Sequence, residues 1–166
     1  KPCVAVGDYV FKGQTIATAD GYVSTPIHAS SSGTVTHIGD HPIAHPSGLS
    51  DDCIVIETDG EDQPLPKPEL EPIEDYSGLD PAELRNRVRA AGIVGLGGAA
   101  FPSFIKLNPG SERLVDTLIL NGAECEPYIA CDQALMSECP EDIIAGAQLI
   151  KHAVQARECL IGVEDN

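Results

Sequence analysis

The sequence predicts an α+β chain built in two parts, an all-β half followed by an α/β half. Three observations carry that expectation. Turn dipeptides break residues 1–58 every few positions, and proline and acids crowd residues 59–75. From residue 80 the apolar period lengthens to that of helices alternating with short strands.

In "VAVGDYVFKGQTIATADGYVSTPIHASSSGTVTHIGD", β-branched residues alternate with polar ones. Gly-Asp at 7–8, Lys-Gly at 12–13, Asp-Gly at 20–21 and Ser-Gly at 32–33 mark turns. No helix-period stripe survives them, and "CIVIET" (53–58) reads as a further strand. A small antiparallel β-sandwich or barrel over residues 1–58 follows. Pro64, Pro66, Pro68 and Pro72 then alternate with acids across residues 59–75. Proline removes backbone donors and the charges resist burial, so this stretch is expected to be an extended, polyproline-like linker.

Residues 76–166 open with a well-signalled helix, "LDPAELRNRVRAAG". Asp80 is placed as N-cap, Pro81 at N1 and Glu83 to close a capping box. Leu84, Val88 and Ala91 recur at helical spacing, and Gly92 is the natural stop. Arg85, Arg87 and Arg89 fall mainly on other faces and read as a solvated surface. "VDTLILNGAE" (115–124) is a strand ended by Asn-Gly. "CPEDIIAGAQLIKHAVQA" (139–156) is a helix with Ile143, Ala147, Ile150 and Val154 on one face, and "ECLIGVED" (158–165) is the next strand. Strand, helix, strand makes the two strands parallel with a right-handed crossover. Residues 76–166 are thus an α/β domain that is incomplete at its C-terminal end.

Bulk properties narrow the function. A formal net charge of -16 opposes direct binding to nucleic acid or to an anionic membrane surface. Trp is absent and aromatics make up 4%, so the core is built from Val, Ile, Leu and Ala. No apolar run reaches the roughly 18–20 residues that span a bilayer. The chain begins Lys1-Pro2-Cys3 and ends just after a strand, so both ends read as cut and a piece of a longer protein is expected. The six cysteines are scattered with no C-x-x-C, which reads as free thiols in a reducing compartment and leaves no zinc or cluster motif here.

Two loops carry the chemistry. "GIVGLGGAAFPSFIKL" holds Gly95, Gly97 and Gly98, whose backbone can approach a ligand closely with exposed N–H groups. It is not the dinucleotide fingerprint, which must follow a strand and open a helix, and no Gly-Lys-Ser/Thr makes it a Walker loop. On spacing alone a flexible turn remains open. Phe101 adds a flat apolar surface, Pro102 a rigid stop, and Lys106 a cation suited to a phosphate or a flavin edge. The second loop, "NGAECEPYIACD", leaves the C-terminal end of a strand, where ligands of α/β sheets bind. It offers Asn121, Glu124 and Glu126.

The pattern "VGDYVFKGQTI" followed by "TPIHASSSGTV" resembles the biotinyl/lipoyl fold, which implies a barrel-sandwich hybrid. Carriers of that fold present a lysine at the hairpin tip; here the tip is "ATADGYVST", without one. "GIVGLGGAAFPSFIKL" together with "LILNGAECEPYIACDQALM" closely resembles the RnfC subunit of Rnf electron-transport complexes. More distantly it is similar to the flavin-bearing, NADH-oxidising subunit of respiratory complex I. The resemblance covers essentially the whole chain. It implies an FMN/NADH-binding α/β domain that accepts electrons from NADH on FMN and passes them to iron–sulfur clusters. By that resemblance Gly95, Gly97, Gly98 and Lys106 map to the FMN loop, and Asn121, Glu124, Cys125 and Glu126 to the loop that contacts flavin or nicotinamide nucleotide. It also implies partner subunits from the same complex and a peripheral place on the cytoplasmic face of the bacterial inner membrane. The 4Fe-4S cysteine motifs are implied beyond residue 166.

The chain departs from the family pattern at four places. Ala100 stands where a third glycine is usual and Ser103 where threonine is. Leu96 replaces an arginine of the complex I relatives, and Ala123 an aspartate. A methyl at position 100 crowds the loop if its φ is positive.

Other constellations are weaker. His37, His41 and His45 recur every four residues, but Gly39 and Pro42 forbid the helix that would align them. Cys125 and Cys131 bracket Glu126-Pro127 and read as small packed thiols. Glu124 and Glu126 lie two apart on one chain, a poor spacing for a glycosidase pair. The rival to an NADH/FMN electron-input subunit is a docking module that retains a degenerate nucleotide fold.

Overall fold

The computed structural model describes residues 1–95, 100–110, 114–124 and 127–165. Its contacts divide the chain into two units, residues 1–72 with 89–102, and residues 73–88 with 103–166. The proline- and acid-rich stretch to Pro72 is therefore grouped with the β half, as is the segment carrying Gly95 and Phe101.

The first unit contains two antiparallel sheets. In one, β1 (Tyr9–Val10), β4 (Gly33–Pro42) and β5 (Ser50–Thr58) pair in the order β1-β4-β5. In the other, β2 (Thr15–Ala17) pairs with β3 (Ile27–His28). No single closed barrel forms among the described residues. Val10, Ile16, Ala29 and Val35 make the buried cluster, with Val4, Ile38, Ile54 and Ile56 packed against it. Both sheets contribute to that cluster, as a sandwich requires. Each fully buried aliphatic side chain contributes about 1.5–3 kcal/mol, so a core without aromatics still holds.

Gly33 is not the turn residue its Ser-Gly context suggests. It opens the central strand β4, facing Val10 on one side and Thr58 on the other. Beside it Ser32 is completely buried. The Ser32 hydroxyl donates to Asp59 Oδ1 at 2.8 Å and accepts the Gln63 N–H at 2.8 Å.

Residues 59–70 are a strap fastened across the sandwich rather than a free connector. Tyr9 Oη donates to Asp59, Lys12 pairs with Asp62, and Thr15 donates from both N–H and hydroxyl to Glu69. Backbone bonds Lys12 N–H to Gln63 O and Leu65 N–H to Lys12 O, 2.9 and 3.0 Å, lock the register. The hydrogen bond from Lys12 holds the Asp62 carboxyl below the usual range, and the hydrogen bonds from Thr15 do the same for Glu69. A carboxyl with a depressed folded pKa adds stability that is complete above its unfolded pKa and is lost as pH falls through the folded one. The strap is therefore expected to loosen below about pH 4. Amide exchange over residues 60–70, corrected for intrinsic rates, should rise there while β4 stays protected. A flat profile would contradict the clasp.

The helix α1 (Pro81–Ala90) begins in the second unit as its sequence signals. Asp80 Oδ1 accepts the Ala82 N–H at 2.7 Å, and Gly92 follows the last turn at φ +70°. The Glu83 carboxylate lies 3.9 Å from Arg87, in an i,i+4 pair. The three arginines are not one solvated face. Arg85 Nη1 donates to Ala153 O at 2.9 Å, and Arg89 donates to the carbonyls of Gly21 and Ser24. α2 (Ser103–Lys106) is a single turn with Phe104 buried.

β6 (Thr117–Asn121) and β7 (Glu158–Gly162) pair in parallel, Thr117 opposite Glu158 through Asn121 opposite Gly162. The crossover contains α4 (Pro140–Val154), as its periodicity predicts. It also contains α3 (Cys131–Glu138), which has no buried residue and so leaves no apolar stripe to read.

Candidate functional site

The glycine loop is closed at its base. Val94 bridges Pro102 antiparallel, and the Gly95 N–H donates to Phe101 O at 2.9 Å. Pro102 is buried while Phe101 keeps 37% of its surface exposed, so the ring is presented rather than packed away. Gly97 and Gly98 lie outside the described residues, as does Leu96.

Ala100 has φ +47°, the left-handed region in which a Cβ is strained by about 1–2 kcal/mol. The departure from the family pattern therefore falls where glycine is the unstrained residue. Ala100→Gly is expected to raise stability by about 1 kcal/mol, seen as a rise of about 2–4 °C in Tm. An unchanged or lower Tm would mean that the backbone at 100 is not strained.

In the second unit Lys106 ends α2 and is exposed, with Phe104 and Leu107 buried on either side of it in sequence. The second loop begins where β6 ends. The Gly122 N–H donates to Gly162 O at 2.8 Å, extending the ladder one residue, and Asn121 Oδ1 accepts the Ala123 N–H at 3.2 Å. This leaves the Asn121 amide donors at the C-terminal ends of both strands. A cavity of about 260 Å³ opens there, lined by Gly122, Glu124, Gln133, Met136, Val163 and Glu164.

Glu124 has a role the sequence does not announce. Its Oε1 accepts the N–H groups of Asp132 and Gln133 at 2.7 and 3.2 Å, and Cys131 Sγ lies 3.8 Å from its Oε2. Those N–H groups belong to the first turn of α3, whose own flanking residue, Ala130, supplies no side-chain cap. A carboxylate there satisfies orphan donors and complements the positive end of the helix. Glu124, Cys131 and Asp132 also bring three potential ligand atoms within 4.8 Å of one another. The two backbone donors on Glu124 make helix capping the simpler account of that cluster. Cys125 and Glu126 lie outside the described residues. Nearby, Tyr128 is wholly exposed at φ +67°.

The structure thus places Gly95 and Phe101 at one loop base in the first unit, and Asn121 and Glu124 at one pair of strand ends in the second, with Lys106 on α2. The histidines do not converge. His37 bonds Asp40 O, His41 bonds Pro42 O, and His45 bonds Ser47 Oγ, with the His37 and His41 rings 6.0 Å apart. The hairpin tip at 18–26 holds itself through the Asp20 N–H to Ser24 Oγ, 3.1 Å. The described cysteines, Cys3, Cys53, Cys131, Cys139 and Cys159, form no disulfide. No helix among the described residues is long and apolar enough to cross a membrane.

Comparison with known proteins bears on both halves. Residues 1–61 match the RnfC barrel sandwich hybrid domain, and residues 88–166 match the Nuo51 FMN-binding domain. The chain is 48% identical over 164 residues to the RnfC-type component of the ion-translocating oxidoreductase complex of Serratia proteamaculans, covering 99% of this chain and 23% of that protein. It is 46% identical over 166 residues to the protein of the same name from Pseudomonas aeruginosa, covering 100% of this chain and 21% of that protein. The chain therefore spans about a fifth of the length of these curated relatives. With both domain models matched in this order and the whole chain aligned at nearly half identity, it belongs to the RnfC family, and its second half is related to the flavin-binding subunit of complex I.

Proposed function

We propose that this chain is the flavin-binding portion of the electron-input subunit of a membrane-associated Rnf-type complex. The whole protein would oxidise NADH through FMN and pass the electrons to 4Fe-4S clusters, or run in reverse, coupled to ion translocation. It would sit peripherally on the cytoplasmic face of the bacterial inner membrane, held by other subunits. The observation that carries this reading is a glycine loop pinched shut by Gly95 and Phe101, inside a segment that matches an FMN-binding domain.

The residues present fit such a cofactor. The loop from Gly95 to Phe101 offers backbone N–H groups to a phosphate, Lys106 adds a cation, and the half-exposed Phe101 ring offers an apolar face. Asn121 keeps its amide donors for a ribityl chain or flavin edge. Bound FMN would supply the hydride and single-electron chemistry; the chain's part is to bind and orient. Glu124 supports the second loop through α3 and is proposed to shape the site rather than to accept a proton.

The test is flavin-fluorescence titration of the full-length protein, followed by NADH addition. Saturable quenching and then bleaching of the flavin band are expected. A well-folded protein that binds no FMN would end this reading and favour the docking module.

A further inference from the structure

The segment leading into the glycine loop is fixed at two points to one structure, the β2–β3 hairpin. Arg89 is half-buried, and its Nη2 donates to Gly21 O at 2.9 Å while its Nε donates to Ser24 O at 3.4 Å. Both acceptors are main-chain carbonyls of the hairpin tip. Three residues on, Gly92 passes so close to the hairpin's returning arm that a Cβ would lie 2.8 Å from Pro26 O and 3.0 Å from His28 Nδ1. Its φ of +70° independently disfavours any side chain. Two residues further, the Val94–Pro102 bridge and the Gly95–Phe101 hydrogen bond close the loop. All of these contacts lie within the first unit.

We propose that the tip of the β2–β3 hairpin is the buttress that positions the glycine loop, with Arg89 and Gly92 as its positioning residues. The hairpin fixes residues 89–92, and these in turn fix the orientation of the N–H groups from Gly95 onward. The buttress deepens the flavin reading and rests on it for the identity of the ligand. The sandwich is then part of the flavin site without touching the flavin. A loop rich in glycine has high conformational entropy, and anchoring its base removes part of that cost before ligand arrives.

Amide hydrogen exchange on the full-length protein separates this proposal from the flavin reading. In Arg89→Ala the Gly95 amide, read on a peptide covering residues 93–102, should exchange at least about tenfold faster. Arg89→Lys, which keeps one donor, should lie between. Peptides over residues 33–58 should not change, which excludes general unfolding. In parallel, FMN should bind Arg89→Ala about fivefold or more weakly, with partial rescue in Arg89→Lys. Unchanged exchange at Gly95 overturns the buttress whatever FMN does. Faster exchange with unchanged FMN affinity overturns its positioning role. Faster exchange in a protein that never binds FMN supports the buttress and refutes the flavin reading. Should Arg89→Ala fail to fold, the comparison rests on Arg89→Lys and Gly92→Ala.

Discussion

Gly33→Ala is expected to destabilise the sandwich by about 3 kcal/mol or more, lowering Tm by roughly 10 °C. A Cβ at this position would lie 2.2 Å from Glu57 O, 2.8 Å from Thr58 Cα and 2.9 Å from Glu57 C. All three are backbone atoms of β5, so no flexible side chain can turn away. β4 would have to part from β5 at the end of their longest ladder, and it cannot shift the other way because Val10 on β1 holds its opposite edge. The neighbouring Ser32 is fully buried and ties the same point to Asp59 and Gln63, so displacement would also strand hydrogen-bonding groups away from water. Gly78, where an added Cβ meets nothing within 4 Å, provides the control. Thermal melts of the two alanine variants measure the difference. A Gly33→Ala melt within about 2 °C of the control would show that β5 yields freely there.

Lys106→Ala is expected to weaken FMN binding about tenfold at physiological salt. A charge-assisted hydrogen bond contributes about 1.5–3 kcal/mol, and the exposure of Lys106 puts the effect at the low end through screening. The field of the whole chain sets the background. At a net charge of -16, a dianionic phosphate approaches against that field, and only ten Lys and Arg residues are available to offset it. Lys106 sits between the buried anchors Phe104 and Leu107, so its main chain is fixed and less entropy is lost on contact. The loss in Lys106→Ala should grow as salt is lowered, and Lys106→Arg should retain most of the affinity. Titrations of the full-length protein at two ionic strengths decide it. Equal affinities for wild type and Lys106→Ala would remove Lys106 from the site and leave the loop N–H groups as the sole phosphate ligands.

The sequence by itself determined what depends on near neighbours. Asp80, Pro81 and Gly92 delimit α1 because capping and helix termination are decided within a few residues. The apolar periods of 115–124, 139–156 and 158–165 specify β6, α4 and β7, and the β-α-β order makes the strands parallel. The two loop motifs were distinctive enough to place the chain in its family. Tertiary structure alone decided which groups meet across long separations. Arg89 reaches a carbonyl 68 residues away, and Tyr9 and Lys12 each reach an acid of the strap 50 residues on. A basic side chain on a helix looks the same in sequence whether it meets water or a distant carbonyl, because only the fold supplies the acceptor. Gly33 shows the same limit. Ser-Gly reads as a turn locally, and only the passage of β5 at van der Waals distance makes glycine obligatory. Likewise, the carboxylate of Glu124 reads as a ligand contact in its motif, while the arrival of α3 gives it two backbone donors to satisfy.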